Sequence, residues 1–177
     1  MSTETAQWKQ VFLDRLDRLT TGERATLKRS IGLLMKDAKG AALAAFFRIA
    51  PTKETEWAIQ HEEKMFLFAT LRAFHRYPSK NEKCFGSTLR QLKNSDSFDK
   101  KVYALLDSSI SLDDGELSYR MALLVRMADS AGVSIHWGKL LNDLLYWDHE
   151  DRFVQRNWAR SYFLAEETNK RGGRDDE

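Results

Sequence analysis

Apolar residues recur along this chain with helical rather than strand spacing, almost from end to end. From Thr5 to Leu19 they fall at Trp8, Val11, Phe12, Leu16 and Leu19, and Thr20, Thr21 and Gly22 break the run. Thr21 offers a cap for a second helix whose stripe is Leu27, Ile31 and Leu34. Gly40 precedes a third, short helix over Ala41 to Ala50, which Pro51 stops. A long helix is predicted from Glu54 to Tyr77, with Trp57, Met65, Phe68, Leu71 and Phe74 as its apolar positions and Pro78 as its end. A polar loop at 79–83 leads to a short helix from Ser87 to Leu92. Ser97 is the candidate cap of a sixth helix, marked by Val102, Leu105 and Leu106. Asp113 or Asp114 opens a seventh, with Leu117, Met121, Leu124 and Ala128 in register and Gly132 just past its end. Ser134 is the candidate cap of an eighth, and Asp148 of a ninth with the stripe Val154, Trp158 and Tyr162. The last residues, EETNKRGGRDDE, are polar and are predicted to be a disordered tail.

The pattern therefore predicts an all-α bundle of about nine helices. It reads as one domain over 1–165, with 78–84 as the candidate boundary between two packed subdomains and 166–177 as the tail. Composition agrees. Val and Ile together number ten, too few for a sheet protein, and 42% hydrophobic with 31% charged residues fits a globular chain. No apolar run approaches the roughly 18 residues of a membrane span. The start, MSTETAQWKQ, has no secretory pattern, and a lone cysteine, Cys84, fits a reducing cytoplasm.

The net charge of +2 hides a concentration. Between 24 and 53 lie Arg24, Lys28, Arg29, Lys36, Lys39, Arg48 and Lys53 against Asp37 alone. Such a stretch attracts polyanions, unless acidic neighbours in space balance it. On the wheel Arg29 faces away from Leu27, towards solvent. Further on, Arg152, Arg156 and Arg160 are spaced as one stripe opposite Val154, Trp158 and Tyr162. A row of guanidinium groups can meet successive phosphates, or can simply be a charged face. Arg120 flanks an apolar stripe, a place where the head is commonly directed at a carboxylate or phosphate. Trp8, Trp57 and Tyr77 could stack bases, although core is the ordinary place for such rings.

Catalytic patterns are scarce. His61 begins HEEKM, with Met where a zinc-protease helix needs its second His. There is no glycine-rich phosphate loop and no nucleophile elbow. Asp148, Glu150 and Asp151 could do acid–base work or hold Mg²⁺, but acids at a helix start also offset its dipole. No metal, cofactor or catalytic residue is expected.

Four segments in order resemble the CasB family, the small subunit of the type I-E CRISPR surveillance complex, Cascade. They are LKRSIG at 27–32, FGSTLRQL at 85–92 with DKKVYALLDSS at 99–109, YRMALLVRMA at 119–128 with VSIHWGKLLNDLLYW at 133–147, and VQRNWARSYF at 154–163. The resemblance implies an all-helical, non-catalytic subunit of antiviral defence, present in two copies beside other Cascade subunits. It implies support of the guide RNA–target DNA hybrid and the displaced strand through sequence-independent backbone contacts. By position, Lys28 and Arg29 match an early basic pair, and Lys100 and Lys101 a second pair that is usually arginine. Arg120 matches the basic residue opening the seventh helix, and Arg160 the one in the WAR segment. Arg24 and Arg156 complete the candidate nucleic-acid-binding set from the charge pattern. The alternatives are a protein–protein scaffold without nucleic-acid contact, and a hydrolase using the 148–151 acids.

Overall fold

The computed structural model describes residues 3–51, 60–108 and 115–164, and among these every regular element is helical. Nine α-helices appear: α1 Thr3–Asp17, α2 Thr21–Arg29, α3 Gly40–Ile49, α4 Glu62–Phe74, α5 Phe85–Leu92, α6 Asp96–Leu106, α7 Glu116–Ala131, α8 Trp137–Leu145 and α9 Phe153–Phe163. A 3-10 turn, Met35–Asp37, lies between α2 and α3. The all-α expectation is met. The stretch 54–59 of the predicted long helix, the Asp113/Asp114 cap and the tail lie outside the described residues.

Helix α4 is the axis of the bundle. Met65 to Leu71 are buried without a break, so it is covered on every side, as an apolar-all-round helix must be. Helices α1, α2, α7 and α8 pack on it, and α3 closes over α1 and α2. Helix α5 packs on α7 and α9, and α6 packs on α7. Helix α8 follows α7 in the chain yet returns to α4 and α1, so one hydrophobic cluster runs from Phe12 to Tyr162.

Several predicted ends move, each for a local reason. Thr20, not Thr21, caps α2: its hydroxyl accepts from the Glu23 amide while the Glu23 carboxylate accepts from the Thr20 amide, a reciprocal box. Helix α2 stops at Arg29, and Ile31 and Leu34 are buried from the irregular segment beyond it. There Gly32 takes φ +85°, and a Cβ on it would lie 3.0 Å from the Ala122 Cβ, so the chain turns flush against α7. Helix α4 ends at Phe74, before Pro78, because 75–79 pairs elsewhere. The Ile135 amide donates to the Tyr77 carbonyl (3.1 Å) and the Ser79 amide to the Ile135 carbonyl (2.8 Å). His75 locks this crossing, its Nε2 donating to the Val133 carbonyl and its Nδ1 accepting from the Tyr77 amide.

Ser95 occupies the N-cap of α6 where Ser97 was expected. His136 caps α8 in place of Ser134, its Nδ1 accepting from the Lys139 amide at 2.9 Å. Helix α9 starts at Phe153 rather than after Asp148, with Arg152 left-handed at φ 48° as its N-cap. Gly132 ends α7 in the left-handed conformation, at the predicted place. Among the described residues no helix is long and apolar enough to cross a membrane.

Candidate nucleic-acid interface

The basic residues separate into those the fold consumes and those it leaves exposed. Arg24 is consumed: its Nη2 donates to the Leu16 and Asp17 carbonyls, satisfying the C-terminal end of α1. Arg48 pairs with Glu23 at 2.7 Å, and Lys36 is also engaged. Part of the 24–53 charge is thus balanced in space. Arg120 reaches back one turn to Glu116, its Nη2 at 2.6 Å and its Nε at 3.0 Å. Its head meets a carboxylate, one of the two partners its position suggested.

Lys28 and Arg29 end α2, both exposed, and among the described residues neither forms an ion pair. The Lys28 ammonium lies 5.2 Å from the centre of the Phe74 ring, at the end of α4. The Arg126 guanidinium, from α7, lies 5.8 Å from the centre of the same ring. Three helices therefore meet at one aromatic ring that two cations approach, and exposed Arg29 follows Lys28 in the chain. Cations over a ring face are attracted by its quadrupole and keep their outer donors in water. The glycine turn builds this arrangement. Gly32 seats the α2 exit on Ala122, and Arg126, one turn after Ala122, shares that face of α7.

Arg126 is absent from the candidate set drawn from sequence. It stands in the YRMALLVRMA segment, but it lies about 120° round α7 from Arg120, and nothing local pairs it with α2. Ala122 four residues earlier was the available sign, and it acquires meaning only when Gly32 is seen against it.

A second group lies on α6 and α9. Lys100 is exposed and Lys101 half-buried on α6; Arg156 and Arg160 are exposed, one turn apart, on α9. Arg152 does not extend their stripe: it precedes the helix and its guanidinium donates to the Leu106 carbonyl. Asp99 accepts from the Tyr162 hydroxyl at 2.6 Å and pairs with Lys93 at 3.2 Å. Those hydrogen bonds hold the Asp99 carboxyl below its ordinary range. Burial first, then Asp99, push the Tyr162 phenol well above the ordinary range. The rings named as base-stacking candidates divide as well. Trp8 packs partly buried against the core, and Tyr77 is partly exposed under the Arg76 guanidinium. Trp57 lies outside the described residues.

The acids at 148–151 are not gathered at a helix start. Asp148 pairs with the buried Lys64 ammonium, which also donates to the Leu145 carbonyl at 3.1 Å. Asp151 lies 3.7 Å from His149. Among the described residues no three His, Cys, Asp or Glu are grouped as a metal would need. Cys84 is half-buried, its thiol donating to the Ser161 hydroxyl at 3.1 Å.

The model for the CRISPR-associated protein Cse2 family matches residues 23–163. A CRISPR-associated Cse2 protein from Thermus thermophilus is 29% identical over 161 residues, covering 87% of this chain and 89% of its own. The crystal structure of CasB from Thermus thermophilus superposes with a TM-score of 0.72 at 26% identity, over 93% of this chain and all of that one. A chain of a CRISPR RNA-guided surveillance complex shares the fold, with a TM-score of 0.70 at 24% identity over 88% of this chain and 91% of its own. The match runs through the α2 exit, α7 and α9, the elements that carry the exposed cations, and the chain belongs to the CRISPR-associated Cse2, or CasB, family.

Proposed function

We propose that this chain is a non-catalytic, nucleic-acid-binding subunit of a type I-E CRISPR surveillance complex. It supports the guide RNA–target DNA hybrid and the displaced strand through phosphate contacts, beside other subunits and a second copy of itself. The observation that carries the reading is the convergence of Lys28 and Arg126 on Phe74. Cations exposed from separate helices, without carboxylate partners among the described residues, suit a polyanion whose sequence is read by base pairing. Family membership and the likeness to a surveillance-complex chain support the same partner.

The test is a reconstituted complex carrying Arg29→Glu, Lys101→Glu or Arg126→Glu. Each variant is expected to load guide RNA normally and to lose permanganate reactivity of the displaced strand, because backbone contacts tip a nearly balanced strand exchange. Wild-type opening by all three folded variants would leave the scaffold role in its place.

A further inference from the structure

The α6–α9 contact ends in an aromatic pair that the core does not need. Tyr103 and Phe163 stack with ring centres 5.7 Å apart and planes 20° from parallel. They are 49% and 38% exposed. Tyr162 meets Phe163 at 4.7 Å and 89°, and Tyr162 is itself fully buried, so the pair is held from beneath. Tyr103 is the outer ring.

The two helices run antiparallel here, since Asp99 meets Tyr162 while Leu106 meets Arg152. Lys100 precedes Tyr103 by three residues and Arg160 precedes Phe163 by three, each about one turn away on the same face. In an antiparallel pair those two positions fall on opposite sides of the stack. Two exposed cations thus bracket one exposed aromatic surface. Of the carboxylates on α6, Asp96 is exposed in the first turn and Asp99 is occupied by Tyr162 and Lys93, while Asp107 is exposed just past the helix end.

We propose that Tyr103, backed by Phe163, is a stacking platform for an unpaired nucleobase, with Lys100 and Arg160 taking the phosphates on either side of that nucleotide. The proposal rests on the nucleic-acid reading above and narrows it: this surface takes single strands, not duplex. An apolar protein patch would account for the rings but not for the bracketing cations. A duplex keeps its bases stacked inside, where Tyr103 cannot reach them.

The experiment uses the full chain with a fluorescent single-stranded oligothymidine, the corresponding duplex, and a single strand carrying 2-aminopurine. Tyr103→Leu, which keeps the site apolar but removes the ring, is expected to weaken single-strand binding about fivefold or more, the lower end for one stacked base. It should abolish the change in 2-aminopurine emission and leave duplex binding unchanged, and Tyr103→Phe should restore both. Lys100→Glu should weaken single-strand binding more than duplex binding. Wild-type single-strand binding by folded Tyr103→Leu overturns the platform while leaving the charge-based reading standing. So does an equal loss on duplex, or a defect confined to assembly with other subunits. Failure of the wild-type chain to bind either oligonucleotide overturns both.

Discussion

Gly86 on α5 lies directly against the backbone of Trp158 on α9. A Cβ at Gly86 would overlap the Trp158 carbonyl oxygen and come within 2.7 Å of its Cα and 2.8 Å of its carbonyl carbon. The obstacle is helix backbone, which cannot swing aside as a flexible side chain can. Closeness at this point lets Phe85 reach the Trp158 ring at 5.2 Å and puts Trp158 Nε1 within 2.7 Å of Asp143. Gly86→Ala is therefore expected to destabilise by about 1–3 kcal/mol or more. A thermal melt lowered by several degrees, with helical content retained, is the measurement. An unchanged melt would mean that α5 and α9 are not in this contact.

Lys64 gives a second prediction. Its ammonium is buried with two acceptors, Leu145 carbonyl and Asp148, the latter half-exposed. Asp148→Asn leaves a buried cation with a weaker partner and should cost roughly 1–3 kcal/mol. Lys64→Met removes the charge as well and should cost less than Asp148→Ala, because an apolar chain of similar length belongs in that site. Chemical denaturation of the three variants gives the order. On the proposed non-catalytic role, neither wild type nor Asp148→Asn should cleave labelled DNA with Mg²⁺, and cleavage that Asp148→Asn abolishes would restore the hydrolase alternative.

The cations on Phe74 predict a salt effect. Lys28→Ala and Arg126→Ala should each leave the melt unchanged, since both side chains are exposed. Each should lower oligonucleotide affinity uniformly across sequences and reduce the slope of log affinity against log salt by about one. A loss that depends on sequence, or a slope left at the wild-type value, would count against phosphate contact.

Acid sensitivity should come in two windows. Burial holds the His75 imidazole below its ordinary range, even though its hydrogen bond to Val133 acts the other way. The unfolded chain thus takes up a proton below about pH 6.5 that the fold refuses. This contribution is present above that pH and is lost as pH falls through the folded value. Asp129 lies in the same sense at lower pH. Burial acts to raise its carboxyl, and the hydrogen bonds and charge of Arg76 outweigh it and hold it below the usual carboxylate range. Its contribution is present above about pH 4 and is lost on further acidification. Stability measured by denaturant from pH 8 to 3 should fall in both windows. His75→Gln should flatten the upper one and Asp129→Asn the lower.

Helix existence was legible in the sequence because it depends on neighbours three and four residues away. The apolar spacing around Phe12, Leu27, Phe46, Leu105, Met121, Leu141 and Trp158 marks helices that all form, and each of these residues is buried. The end of α7 at Gly132 was legible for the same reason, since a left-handed glycine is a local requirement. Other ends were not. Asp148 reads as a cap until Lys64, 84 residues away, takes it. Pro78 reads as the stop of α4 until His75 bonds Val133 and the chain turns three residues early. The exposed cations were half legible. Charge, type and wheel position place Lys28 and Arg29 on a surface, yet Arg126 joins Lys28 at Phe74 only because Gly32 lets the segment leaving α2 lie on α7. Lys100 and Arg160 stand sixty residues apart in the chain, and only the contact of α6 with α9 brings their two helices together at one pair of rings. Local periodicity decides which segments are helices; which of their faces meet depends on contacts between residues that no short window of sequence contains.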